Sequence, residues 1–461
     1  MNSEFSEWLR DAKFFILLEL PLPREKADIP VFYGTLKKIQ TVILSPQNNL
    51  KCGIAFTTHS DEINSDFSEF LSDIPIQLKN KSLFYLSGRN NNIKNLHQQL
   101  ESLKRLEIKN IVPVTGERKQ NREKNVEKSQ YLDSVNAIEI VNKLYRSDFF
   151  CGAVVNPFKY TPEESYSQYY KLMKKIKVGA QFAGVQAGWD MRKIQELRWF
   201  LENRDCHIPT IARNIVLTPE IFEEILSGVF PGIVISDDIR QILNQESKYG
   251  YAQFASAQWR RLQLFSSGAR FLGYSGIQIA GLERPEHTET AIAKIIEAMN
   301  EFKNFDEWKE EYHNYLSRVE PAPFPYNFYI FENLLKSQYP DGNLKFKDIK
   351  NCNLSITQKI KYNICRIILS KSHRQVPEEH FLTKKILLGC KSCKYCRVSL
   401  TYYVCPERCP KGLANGPCGG SFAGGLCEFR TQSCIYKEIF RHALWKKEIS
   451  GLEERIIKAP E

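Results

Sequence analysis

Eight of the thirteen cysteines lie between Cys390 and Cys434, in the string Cys390-x2-Cys393-x2-Cys396-x8-Cys405-x3-Cys409-x8-Cys418-x8-Cys427-x6-Cys434. Clustered cysteines in a cytosolic chain are metal ligands more often than disulfides. Eight thiols make two sets of four. Cys-x2-Cys-x2-Cys supplies three corners of a cubane iron–sulfur site. Cys-x2-Cys pairs also serve zinc, where four thiolates close a tetrahedron. Two [4Fe–4S] clusters are expected, with zinc as the alternative. Six glycines between Gly412 and Gly425 let backbone N–H groups approach sulfur closely.

The second centre is a single carboxylate. Phe14-Phe-Ile-Leu-Leu is a continuous apolar run, and Glu19 ends it. Such a run fits a strand buried on both faces. A carboxylate at its end loses water, which favours the protonated form and suits a general acid. A salt bridge from Glu19 to Arg24 or to a neighbouring lysine is the competing role.

Both centres need a frame. Short apolar runs recur at 14–20, 52–56, 83–87, 110–115, 149–155, 179–186, 208–213 and 275–280, with helical spacing between most of them, as in 93–106 and 165–177. Eight β-α units predict an α/β fold, a (β/α)8 TIM barrel over residues 1–300. Residues 40–44 compete with 52–56 for the second strand, and a doubly wound open sheet is the alternative architecture. In such barrels chemistry sits at the carboxyl ends of the strands. That brings forward Glu19, Ser87 to Asn90, Thr115 to Glu117, Asn156, Gln186 to Trp189 and Arg213. Residues 117–130 hold one apolar residue and are expected to form a mobile loop that could serve as a lid. Prolines 321, 323 and 325 break any helix there, so 301–350 is expected to be a connector leaving the barrel. Residues 351–461 then form a smaller cysteine-rich metal-binding domain.

Composition narrows the class. Hydrophobic residues make up 43% and charged residues 25%, ordinary for a soluble globular protein. No apolar run reaches the ~18 residues of a membrane span, and the N-terminus has neither the basic region nor the cleavage site of a signal peptide. A cytoplasmic location without membrane contact is expected. The net charge of +11 comes from lysines spread along the whole chain, so it fits anionic cofactors and substrates, and nucleic acid is not expected as a partner.

These segments together resemble the methylenetetrahydrofolate reductase family. The resemblance is carried by Glu19 with Pro21-x-Pro-Arg24, Leu86-Ser-Gly-Arg-Asn90, Ile108-Lys-Asn-Ile-Val-Pro-Val-Thr-Gly-Glu117, Leu132-Asp-Ser-Val135, Gly152-Ala-Val-Val-Asn-Pro157, Gly179 to Gln186, Phe230 to Asp237 and Gly276 to Ile279. It covers about residues 10 to 300. The string from Cys390 to Glu428, with Cys-Pro-x-x-Cys-Pro-Lys-Gly-Leu-x-Asn-Gly-Pro-Cys-Gly-Gly inside it, resembles the C-terminal module found beside such reductases. The resemblance implies flavin-dependent reduction of 5,10-methylenetetrahydrofolate to 5-methyltetrahydrofolate, in one-carbon metabolism and methionine methyl supply. It implies FAD or FMN, with Glu19 as general acid. Glu117 and Gln186 would bind the folate. Tyr85, Ser87, Arg89, Thr115, Gly116, Glu117, Asn156 and Lys175 would line the flavin. NAD(P)H or a reduced electron-carrier protein would donate electrons, the C-terminal metal domain would serve electron input or partner docking, and a homo-oligomer is compatible with it. Glu117 stands where the family usually has aspartate, and Tyr85 where many relatives have histidine. Two other functions remain open: a folate-dependent one-carbon transferase, and a non-catalytic barrel with a zinc-binding interaction module.

Overall fold

The computed structural model describes residues 3–11, 14–23, 26–44, 51–58, 68–118, 130–282, 285–316, 319–340, 346–347, 349, 352–369, 381–391, 393 and 396–459. Nine strand segments form one sheet: β1 (Phe15–Pro21), β2 (Cys52–Thr57), β3 (Ser82–Ser87), β4 (Asn110–Val114), β5 (Phe150–Cys151), β6 (Ala153–Val155), β7 (Ala183–Val185), β8 (Thr210–Ile215) and β9 (Gly276–Ala280). Their order is β5-β4-β3-β2-β1-β9-β8-β7-β6, and the pairings are parallel. β5 and β6 are one crossing interrupted at Gly152, so the two ends of the sheet meet in consecutive residues and the barrel is nearly closed. A Cβ at Gly152 would stand 2.3 Å from the Phe182 ring, which is why the interruption carries glycine.

The expected (β/α)8 architecture is therefore present. Residues 40–43, which competed for the second strand, belong to the helix Ile29–Ile43. Its apolar side, Phe32, Leu36, Ile39 and Ile43, is buried at helical spacing. Loop residues 119–129 lie outside the described residues.

Strand periodicity sorts the barrel into two zones. Alternate residues of a strand point the same way, so Phe15, Leu17 and Glu19 of β1 share the inward face. Phe15 and Leu17 join Ala55, Leu83, Val112, Phe182 and Ile211 in an apolar cluster. The helix Glu4–Arg10 adds Phe5, Trp8 and Leu9 to that cluster, and Ser3 caps the helix with a reciprocal capping box. Ser3 also donates to Asn110 Oδ1 at 2.6 Å. The same inward register continues toward the carboxyl ends as Tyr85, Arg213, Gln278 and Glu19, so the interior changes from apolar to polar within one or two residues. The outward positions, such as Ile16, Leu18, Ile54 and Phe84, pack beneath the surrounding helices.

The stretch expected to be a connector is strapped to the barrel. Tyr329 donates to Asp190 Oδ2 at 2.6 Å and the Ile330 N–H to Glu196 Oε2 at 2.5 Å. Gln195 holds the backbone of Leu335 and Lys336. Tyr329, Ile330 and Phe331 are buried; burying them and satisfying the helix Met191–Glu202 is what draws the segment in. Beyond it come the helices Ile356–Leu369, Phe381–Leu388 and Ile435–Trp445 and several short 3-10 turns. Among the described residues no helix is long and apolar enough to cross a membrane.

Candidate functional site

A cavity of about 240 Å³ opens at the carboxyl ends of the strands. Glu19, Tyr85, Ser87, Thr115, Gly116, Glu117, Asn156, Lys175 and Gln186 all line it. One of the anticipated residues does not. Arg89 is fully buried behind Gly116, whose Cβ, if present, would meet the Arg89 Cβ at 2.8 Å. The backbone of Arg89 bridges Tyr131 in antiparallel fashion.

Glu19 is ion-paired, the competing role weighed from the sequence, but with a partner that was not foreseen, Arg213. Arg213 Nε donates to Glu19 Oε2 at 2.8 Å and Arg213 Nη2 to Glu19 Oε1 at 2.7 Å. Gln278 Nε2 donates to Glu19 Oε2 at 2.6 Å. Both carboxyl oxygens therefore act as acceptors, the role of the ionised form. The salt bridge comes from β8, 194 residues away; Arg24 lies outside the described residues. Burial opposes the charge of Arg213, but Glu19 outweighs it and raises its pKa. The network continues: Arg213 Nη1 donates to Gln186 Oε1 at 2.6 Å, and Tyr85 Oη to Gln278 Oε1 at 2.6 Å. Burial pushes the Tyr85 phenol upward, so it serves as a donor. Arg213 and Gln278 are thus part of the site, and neither was singled out for a role. Arg213 was legible only as a strand-end residue; Gln278 sits inside a run that reads as core.

A second side of the cavity is cationic. Lys175 Nζ donates to the Val154 carbonyl at 2.6 Å, and Lys171 Nζ lies 3.1 Å from Asp133 Oδ1. Burial, and then the neighbouring Lys171 charge, brings the Lys175 pKa down to about 7 against the pull of Asp133. Two buried ammonium groups facing one carboxylate leave room for an anion, which fits the phosphate of a flavin nucleotide.

The roof of the cavity is the C-terminal segment. Lys411, Pro417 to Gly420 and Glu428 line it. Lys411 Nζ reaches the Gly116 carbonyl at 2.6 Å and Glu428 Oε1 at 2.6 Å. Burial opposes its charge, but Cys418 and Glu428 outweigh burial and raise its pKa. Asn156 Nδ2 donates to both the Gly232 and Gly419 carbonyls, each at 2.8 Å. Lys171 Nζ donates to the Gly416 carbonyl at 3.1 Å and Lys159 Nζ to the Ser421 carbonyl at 2.5 Å. Gly232 has φ +81°, and a Cβ there would stand 2.3 Å from the Gly419 carbonyl. Gly232→Ala is expected to cost about 1–3 kcal/mol in backbone strain alone and to lift the roof from the barrel. The checks are an earlier denaturant midpoint and faster proteolysis of the C-terminal segment; an unchanged midpoint would contradict the close approach.

The eight cysteines fall into two neighbourhoods. Cys409, Cys418, Cys427 and Cys434 form one electrostatic neighbourhood, in which each thiol has its pKa raised by burial and then by another member. Cys405 feels Cys390 and Cys393 and packs with Cys396. Burial, ahead of Lys411 and the other charges, puts the Cys418 thiol at about 11. Cys418 Sγ accepts from the Gly420 N–H at 3.4 Å. Lys159 and Lys411 face the quartet Cys409, Cys418, Cys427 and Cys434, the second along the chain. Among the described residues no three side chains converge closely enough to hold a metal ion, yet the donor set, two groups of four thiols with lysines and glycine N–H groups beside one of them, fits a thiophilic metal.

Residues 4–222 match the family described as methylenetetrahydrofolate reductase, and residues 370–460 match the one described as methylene-tetrahydrofolate reductase C terminal. No curated protein matches the chain at significance. Strands β1 to β8, with Glu19, fall within the first match and the cysteine-bearing roof within the second, so these two regions of the chain match the methylenetetrahydrofolate reductase family and its C-terminal domain.

Proposed function

We propose that the chain reduces 5,10-methylenetetrahydrofolate to 5-methyltetrahydrofolate with a bound flavin, FAD or FMN. The observation that carries this reading is that Glu19, Glu117 and Gln186 line one cavity at the strand ends of a family barrel. Ser87, Thr115, Gly116 and Asn156 would hold the flavin, with Lys171 and Lys175 toward its phosphate. When bound, a flavin supplies the hydride.

The chain's own residues supply the rest. The substrate's five-membered ring must open by protonation of the leaving nitrogen, and Glu19 is the carboxyl group placed for it. With both its oxygens accepting from Arg213 and Gln278, Glu19 can receive and pass on a proton only when the guanidinium gives way. We take substrate entry to displace Arg213 toward Gln186. Glu117 and Gln186 orient the pterin, and the Lys411–Glu428 roof excludes water. Because Cys418 stands in the cavity wall, metal bound by the second quartet would lie beside the flavin, which supports electron input from the C-terminal domain. NAD(P)H or a reduced carrier protein is the donor to be tested.

Anaerobically purified protein is expected to show flavin bands, and its chemically reduced form to be reoxidised by methylenetetrahydrofolate. A colourless protein that binds the folate unchanged would replace this reading with a folate-binding or transferase role, which the Arg213 clamp on Glu19 favours. Metal analysis of the same sample distinguishes iron–sulfur from zinc.

The Lys175 pKa gives a pH test. An anionic phosphate binds the protonated ammonium, which is depleted above about pH 7. Affinity for FMN or FAD should fall roughly tenfold between pH 7 and 8.5, whereas riboflavin, which has no phosphate, should bind with little pH dependence. Titration by fluorescence quenching reads both, and parallel curves would remove Lys175 from the phosphate site.

A further inference from the structure

We propose that the outward face of the helices Ile356–Leu369 and Phe381–Leu388 docks an acidic protein partner beside the first cysteine quartet. The helix Ile356–Leu369 is apolar on two sides. Tyr362, Cys365 and Leu369 face inward and are buried. Ile356, Ile360, Ile364 and Ile367, at steps of four, four and three, make a second stripe, with Ile356 75% and Ile367 76% exposed. Ile386 of the following helix is 83% exposed. A helix apolar on both sides is normally covered on both, and isolated exposed residues of this kind need no explanation whereas a stripe does.

The rim gives the partner's chemistry. Neither helix contains an aspartate or glutamate. Lys361, Arg366, Lys385 and Lys391 are exposed on or just beyond them. A second copy of this chain would bring the same positive rim against it, and like charges across an interface are disfavoured. An apolar centre framed by carboxylates is the complement.

The position gives the reason. The inner faces of both helices share one small core, in which Cys365, Leu369 and Leu388 pack with Val398, Cys405 and Cys396. A partner seated on the outer face is therefore one helix thickness from the quartet Cys390, Cys393, Cys396 and Cys405. Choosing an electron-carrier protein as that partner rests on the reductase reading above; the docking face itself does not.

The test uses the full-length, anaerobically purified protein with two acidic probes, a [4Fe–4S] ferredoxin and a flavodoxin. Saturable binding of at least one probe that weakens with added salt is expected. Lys361→Glu, and separately Ile360→Glu with Ile367→Glu, should weaken it by roughly tenfold or more, with helicity and thermal midpoint unchanged for Lys361→Glu. Equal affinity of wild type and Lys361→Glu, or no saturable binding of either probe, overturns the proposal. So does self-association, or binding to anionic phosphatidylserine vesicles, that disappears in the isoleucine variant while the probes do not bind. Turnover with reduced viologen separates the two readings. If wild type fails with viologen but the isotherms behave as expected, the reductase reading falls and the docking face stands.

Discussion

Glu19→Gln is expected to lower methylenetetrahydrofolate reduction by about 10²–10⁴-fold while bound flavin is retained. Glutamine keeps the size of the side chain and one acceptor for Arg213 but cannot carry the proton to the leaving nitrogen. The pairing makes the control necessary. Removing one partner of a buried ion pair can cost about 3–5 kcal/mol, and Arg213 is held by Glu19 at 2.7 and 2.8 Å. Activity, flavin content and thermal midpoint are therefore measured together. Loss of turnover with flavin and midpoint preserved assigns Glu19 to proton transfer. Near wild-type turnover would remove it from the chemistry, and Arg213 would then be the residue to pursue.

The second large effect is on the cysteine-rich C-terminal segment and rests on the proposed metal. Stripping the metal, or Cys418→Ser, should loosen the chain from about residue 385 onward, because clustered thiols rarely hold their fold without their ion. The barrel has its own core and should stay folded. Its cavity should not stay intact: Lys411, Cys418, Gly419 and Gly420 are its roof, so flavin affinity should fall at least tenfold as the roof loosens. The readout is flavin released on anaerobic chelation, with barrel helicity followed in parallel. Flavin retained at full occupancy in metal-free protein would show that the roof does not bear on the cofactor. Eight freely titrating thiols without any iron or zinc would remove the metal reading itself.

The barrel was legible because its strands are buried on both faces and so appear as apolar runs bounded by polar residues. Residues 275–280 predict β9 to within one residue, and 83–87 predict β3 equally well. Residues 40–44 competed with the strand at 52–56 because a helix that buries one side, as Ile29–Ile43 does, is locally as apolar as a strand. Part of the cavity lining, Glu19, Ser87, Thr115 to Glu117, Asn156, Gln186 and Arg213, followed from the strand ends. The Glu19–Arg213 pair did not, since a salt bridge across 194 residues leaves no local pattern. The roof was hidden for another reason. Asn156, Lys159 and Lys171 hold it through the backbone carbonyls of Gly419, Ser421 and Gly416, and a carbonyl has no letter in the sequence. Glycine content suggested close approach to sulfur; the structure shows that part of it serves close approach to the barrel.

That roof has a consequence for the timing of synthesis. The strands that shape the cavity are complete once β9 has formed, at Ala280, whereas Lys411 and Cys418 to Gly420 emerge more than a hundred residues later. Domains tend to fold from the N-terminus as the chain leaves the ribosome. Between those two moments the nascent barrel is an open cup. A large anionic ligand can enter it then without displacing anything, and the later-made segment around Lys411 and Cys418 closes over whatever the cup contains.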